Sequence, residues 1–145
     1  MPRRDAPPLL LDTHVWLWAA EGAADTLSTD ALQAIEEASA GGRILVSAIS
    51  VWEVAMLESR GRISLSLQVD EWVRTALRLP GVRLLELSPE IAVESTRLPG
   101  GFQGDPADRI LAAGARVSAA RLATRDRALV AYAADGHLEV LDVGP

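Results

Sequence analysis

Residues 104–115, Gly-Asp-Pro-Ala-Asp-Arg-Ile-Leu-Ala-Ala-Gly-Ala, set two carboxylates at the mouth of an apolar helix. Pro106 suits the first helical position, where its missing N–H costs nothing, and this makes Asp105 the N-cap. Asp108 then falls in the first turn, where a negative charge suits the helix dipole. It stands three, four and seven residues before Leu111, Ala112 and Ala115, on the face that packs inward. Two carboxylates beside a buried stripe repel each other and must be protonated, paired or bound to a cation. For Asp105 alone, plain helix capping accounts for the residue equally well.

Three further acids share this kind of setting. Pro8-Leu9-Leu10-Leu11-Asp12 is an apolar run ending in an acid. It predicts a buried parallel strand with Asp12 at its carboxyl end, where open α/β sheets bind ligands. Capping of a helix over 15–20 is a comparable account of Asp12. Residues 121–126, Arg-Leu-Ala-Thr-Arg-Asp, repeat the pattern at Asp126, whose bland role is to cap a helix over 127–134. Glu53 falls in a helix over 48–60, within an apolar stripe of Ile49, Trp52 and Met56, whereas Glu58 lies on a polar face. An acid on a buried face needs a counterion, so Glu53 either binds metal or pairs with an arginine such as Arg109.

The frame that must position these acids alternates strand and helix. Ser28 caps an amphipathic helix that Gly41-Gly42 stops, and residues 43–47 form a second strand. A helix over 68–79 ends before Pro80-Gly81, and a third strand covers 82–87. Ser88-Pro89-Glu90 opens another helix by the N-cap and N1-proline rule. Residues 98–104 form the longest flexible segment, leading straight into the Asp105 helix, and residues 138–143 form the last strand. Short links throughout predict an α/β fold with a parallel sheet and helices on both faces. Asp12, Glu53, Asp108 and Asp126 then all fall at one carboxyl edge of that sheet. No repeat or low-complexity segment interrupts the pattern.

Composition narrows the chemistry. At 145 residues the chain reads as a single domain, 1–145, with enough apolar content (49%) for a real core. There is no cysteine, hence no disulfide framework, thiolate zinc site or thiol nucleophile. All fourteen basic residues are arginine. The missing lysine excludes P-loop phosphate binding, Schiff-base chemistry and Ser-Lys hydrolysis. It also tells against a haloacid-dehalogenase-like phosphatase, whose second acid would stand where His14 is, and against a receiver-like phosphoacceptor. No Gly-x-Gly-x-x-Gly follows the first strand, against a dinucleotide site. A net charge of −6 argues against a generally basic nucleic-acid coat. It leaves room for a nuclease whose acids hold cations, because bound divalent ions reverse the local field. No apolar run reaches the length of a membrane span, and the start, residues 1–5, does not read as a signal peptide. A cytoplasmic protein without membrane contact is the simple expectation.

Four convergent carboxylates with oxygen-only chemistry suit Mg²⁺ or Mn²⁺ in phosphodiester hydrolysis. Thr13, Ser47 and Thr124 stand where hydroxyls can orient waters or phosphate oxygens, and Arg109 and Arg125 where they can neutralise phosphate. His14 and His137 are isolated and read as structural or surface residues. Trp16 and Trp18 read as core or interface residues.

The segments Leu-Leu-Leu-Asp-Thr-His (9–14), Val-Ser-Ala-Ile-Ser-Val-Trp-Glu-Val (46–54), Asp-Pro-Ala-Asp-Arg-Ile-Leu-Ala-Ala (105–113) and Ala-Thr-Arg-Asp (123–126) together resemble a PIN-domain ribonuclease. More narrowly they resemble the VapC-type toxins of bacterial toxin–antitoxin pairs. The resemblance runs over nearly the whole chain, with the four motifs in order. It implies a PIN-like three-layer α/β/α sandwich around a mainly parallel sheet and Mg²⁺- or Mn²⁺-dependent endoribonuclease activity on RNA. It further implies a homodimer, inhibition by a VapB-like antitoxin and entry into larger toxin–antitoxin assemblies. By position, Asp12, Glu53, Asp108 and Asp126 match the family's acidic quartet, and Asp105 matches a further acid of this group. Ala107 stands where an aromatic is frequent, and Phe102-Gln103-Gly104 replaces a histidine-containing approach; neither removes a ligand. The competing expectation is a PIN-like binding module that keeps the acids without catalysis.

Overall fold

The structure, a computed structural model, describes residues 6–144; the chain start discussed above lies outside them. Five short strands form one sheet: β1 (Leu9–Leu11), β2 (Ile44–Ser47), β3 (Val82–Leu85), β4 (Arg121–Thr124) and β5 (Val140–Asp142). Their order is β3-β2-β1-β4-β5, and every pairing is parallel. Leu9, Leu10 and Leu11 each pair on both sides, with residues 44–46 and 121–123. An unbroken apolar run is what a strand covered on both faces requires, and all three leucines are buried.

Alternation along the strands divides the core in two. Leu9, Leu11, Ile44, Val46 and Ala123 point to one side. There they meet Val15 and Trp16 of α1 (Thr13–Glu21), Val54 of α3 (Ala48–Ser59) and Trp72 of α4 (Val69–Leu77). Ala31 and Ala38 of α2 (Thr29–Ala40) complete this layer. Leu10, Leu45 and Leu122 point to the other side. They pack on Ile91 of α5 (Pro89–Ser95), Leu111 and Ala112 of α6 (Pro106–Val117), and Leu129 and Tyr132 of α7 (Arg127–Ala134). The result is the expected three-layer α/β/α arrangement, with a sheet that is wholly parallel. Helix α6 sits close on the sheet at Gly114, where an added Cβ would come 3.2 Å from Leu85 Cδ2.

From β1 the chain winds outward through β2 to β3, then returns to place β4 and β5 on the other side of β1. The strand order therefore reverses between β1 and β4, and such a switch point opens a crevice at the carboxyl ends of the two strands. Among the described residues no helix is long and apolar enough to cross a membrane.

Three expectations need correction. Trp52 is 56% exposed, so the inward ridge of α3 is Ser50 and Val54, both fully buried, and not Ile49–Trp52–Met56. Glu53 stays half-buried because it adjoins that ridge. The longest link without helix or strand joins α3 to α4 over 60–68, not 98–104. The 98–104 segment is pinned: it contains a 3₁₀ turn at Pro99–Gly101, and Tyr132 Oη donates to the Pro99 carbonyl. Phe102 packs on the Tyr132 ring, with centroids 4.8 Å apart.

Candidate active site

Four helices begin at the crevice, and their caps come from the residues singled out in the sequence. Asp12 caps α1, its carboxylate accepting from the Thr13 N–H at 2.7 Å. Asp105 caps α6 by accepting from the Asp108 N–H at 2.8 Å. Asp126 caps α7 through the N–H groups of Ala128 (2.9 Å) and Leu129 (3.1 Å). Ser47 caps α3 through the Ile49 N–H at 3.1 Å. The capping account of these acids is thus correct, and it is also what gathers them. Each helix directs its positive dipole end at the same edge of the sheet, where negative charge is favoured.

Beneath the acids lies a layer of hydroxyls. Among the described residues five polar or charged side chains are buried, and four of them, Thr13, Ser47, Ser50 and Thr124, belong to this edge. Buried polar groups are kept where they are hydrogen-bonded, so the concentration marks a built framework. Thr124 Oγ1 donates to Asp12 Oδ2 across the β1–β4 boundary and accepts from the Asp126 N–H at 3.0 Å. Thr13 Oγ1 donates to Glu53 Oε1 and lies 2.8 Å from Ser50 Oγ. Thr13 has one hydroxyl proton and gives it to the carboxylate, so Ser50 must be the donor to Thr13. A relay Ser50 → Thr13 → Glu53 fixes the acid.

This layer changes the roles expected of the hydroxyls. Thr13 and Thr124 are almost wholly buried and hold carboxylates, not waters or phosphate. Ser47, 4% exposed, spends its oxygen on the start of α3. Ser50 was not foreseen; its only signal is helical spacing, three residues before Glu53 on the buried side. His14, read as a structural or surface residue, is exposed at the crevice, and its electrostatic influence lowers the carboxyls of Asp12 and Glu53.

The electrostatics show that the acids converge. Burial raises the Asp108 carboxyl most, and the charges of Asp105, Asp126, Asp12 and Glu53 add to it, bringing it to about 7. Every other acid of the set therefore acts on Asp108. Asp12 is raised chiefly by burial, offset by its bonds to Thr124 and Thr13. Glu53 is likewise raised by burial first, with the Thr13 bond opposing it. Among the described residues none of the five acids is in an ion pair; the Glu53–Arg109 bridge does not form. Arg109 is half-buried, and Arg125 is exposed with its guanidinium 5.2 Å from the centre of the Trp18 ring.

A cluster of like charges without a counterion, presenting only oxygen, fits a hard divalent cation and not zinc. Among the described residues no three of the side chains close into a ready-made cage. Asp12, Asp105 and Asp126 are turned partly to their caps and Glu53 to Thr13, which leaves Asp108 as the acid held by no side-chain hydrogen bond.

Residues 9–135 match the PIN domain family. Over 122 residues the chain is 40% identical to Ribonuclease VapC22 of Mycobacterium tuberculosis, a match covering 83% of this chain and 88% of that protein. The fold resembles VapBC2 from Rickettsia felis bound to a promoter DNA fragment, with a TM-score of 0.66 at 15% identity over 92% of this chain and 96% of the other. It also resembles DNA-bound VapBC from Salmonella typhimurium, with a TM-score of 0.64 at 13% identity over 94% and 98%. At those identities the structural likeness speaks for the fold; the sequence relationship and the four ordered motifs speak for the lineage. The chain belongs to the PIN-domain family, within its VapC group.

Proposed function

We propose that the chain is a divalent-metal-dependent endoribonuclease, acting as one domain in the cytoplasm as the toxin of a VapBC-type pair. The observation that carries this reading is the convergence of five acids at one edge of the sheet: four other carboxylates bear on Asp108, and among the described residues none of the five is in an ion pair. Asp12, Glu53, Asp108 and Asp126, with Asp105 at the rim, would hold Mg²⁺ or Mn²⁺. Such an ion supplies Lewis-acid activation of a water and neutralises charge on the phosphodiester.

The remaining work falls to the chain's own groups. Thr124 and the Ser50–Thr13 relay keep Asp12 and Glu53 in place and oppose the upward pull of burial on their carboxyls, so their orientation is set before substrate arrives. With its carboxyl raised to about 7, Asp108 exchanges a proton around neutral pH, and a bound cation would favour its ionised form. Arg109 and Arg125 make no ion pair among the described residues and are free to meet the substrate's phosphates. The relationship to Ribonuclease VapC22 supports RNA as substrate. Trp52, Leu84, Leu87 and Val93 remain exposed, apolar side chains suited to contact with a second copy or with a VapB-like antitoxin.

The test is cleavage of a panel of structured and total RNAs by purified protein in Mg²⁺, Mn²⁺ and EDTA, beside folded Asp12→Asn and Asp108→Asn variants. Metal-dependent cleavage lost in both variants is the expected result. Absence of cleavage together with absence of calorimetric binding of either ion would overturn it and leave a binding module.

A further inference from the structure

Beside the acids lies a cleft of about 370 Å³ lined by Asp12, His14, Val15, Trp18, Arg125 and Asp126. Three flat groups meet in it. The Arg125 guanidinium stands 5.2 Å from the Trp18 ring centre, and the His14 ring is tilted 47° at 5.9 Å on the same indole. Trp18 is half-buried, so part of its surface remains accessible, while Val15 below it is buried and adds an apolar floor. His14 and Trp18 share this face because they are four residues apart on α1. Arg125 reaches them because it follows β4, the strand paired with β1.

We propose that this cleft is a nucleobase subsite, seating a base next to the scissile phosphate of the RNA and setting the enzyme's sequence preference there. The inference rests on the nuclease reading above and names the part of the substrate that this wall contacts. The chemistry of the lining decides the occupant. The scissile phosphate belongs with the cation that Asp12 and Asp126 would hold, so the group entering the cleft beside them is not the anion itself. A cationic side chain from a protein partner would meet Arg125 already placed over Trp18. A base is neutral, flat and stacks on indole, imidazole and guanidinium alike. Arg125, exposed and outside any ion pair among the described residues, then accompanies the adjoining phosphate or the base itself. Two walls of the cleft are the acids Asp12 and Asp126, which places the base within one nucleotide of the reacting bond.

The experiment measures binding apart from cleavage. Fluorescence anisotropy of labelled single-stranded ribo-oligonucleotides of defined sequence is recorded in EDTA for the wild type, Trp18→Leu, Trp18→Phe and Arg125→Gln. Each oligonucleotide is prepared intact and with a single abasic residue at each position in turn. The expected result is binding about tenfold weaker for Trp18→Leu with the intact strand, partial recovery in Trp18→Phe, and no difference between wild type and Trp18→Leu at one abasic position. With Mg²⁺ present, Trp18→Leu raises KM more than it lowers kcat and relaxes base preference at that position. Equal loss for intact and abasic strands, or no loss in any variant that melts like the wild type, overturns the subsite. Unchanged RNA binding with loss of binding to a short arginine-containing peptide assigns the cleft to a protein cation and also overturns it. Base-dependent binding without cleavage would uphold the subsite while sinking the nuclease reading.

Discussion

The Thr124 hydroxyl donates to Asp12 across 112 positions of sequence, joining the ends of the two parallel strands between which the strand order reverses. The same oxygen accepts the Asp126 N–H, so one buried hydroxyl sets two acids. Thr124→Val removes both bonds with almost no change of shape. It leaves a buried N–H unmatched, at about 1–2 kcal/mol of stability. Divalent-ion affinity by calorimetry is expected to fall about 10- to 100-fold, with cleavage falling in step. Thr124→Ser keeps the hydroxyl and should recover most of both. Wild-type ion affinity in Thr124→Val would show that the hydroxyl does not position Asp12.

The raised Asp108 carboxyl gives a pH signature. A carboxyl higher in the folded state than its ordinary 3.8 binds extra protons there, so its contribution to folding stability declines as pH rises from about 4 through about 7. Asp108→Asn removes the charge. In EDTA the variant should therefore melt above the wild type at pH 8, and the gap should close towards pH 4. Added Mg²⁺ or Mn²⁺ should reverse the order, since the wild type then gains the ion's binding energy. Wild-type affinity for either ion should rise with pH through about 7, as the ion displaces the proton. A melting gap that does not depend on pH would show that Asp108 is not crowded by its neighbours.

Glu53 depends on the relay beneath it. Thr13→Val withdraws the donor that opposes burial, so the Glu53 carboxyl should rise further. The acid side of the pH–activity profile should move to higher pH. Ser50→Ala should move it in the same direction by less, because Thr13 still reaches Glu53. Equal shifts in the two variants would contradict the direction of donation assigned to the relay.

The layers and the acids were legible in the sequence because they are local signals. Three leucines in a row mark a strand covered on both faces, and Ser28, Ser88 and Asp105 mark helix starts that the structure keeps. The acids could be placed at one edge because each follows a strand or opens a helix. Ser50 and the duties of Thr13 and Thr124 were not legible, since a hydroxyl has the same sequence signature whether it faces solvent, a cap or a carboxylate. Trp52 misled for a different reason. Its spacing from Ile49 and Met56 is helical, but α3 packs by Ser50 and Val54, and only the tertiary contacts reveal which face turns inward.

A backbone test separates fold from site. Gly81 has φ +80°, and a Cβ there would lie 2.0 Å from the Ser39 carbonyl oxygen, an atom of the α2 backbone. Gly81→Ala should cost at least ~2 kcal/mol by denaturant unfolding, since both the conformation and the space forbid it. Its position at the start of the edge strand β3 leaves the acids untouched, so ion affinity well below the melting temperature should match the wild type. Lost affinity in folded protein would mean that the edge strand bears on the crevice.

The interleaved strand order has a consequence for biosynthesis. Asp12 is made long before its neighbouring strand β4 and the last acid of the cluster, Asp126. A nascent polypeptide that has β1, β2 and β3 in hand still lacks half of the crevice. The acid cluster therefore comes together only after β4 and Asp126 have been made, and products truncated before them carry the sheet's beginnings without its chemistry.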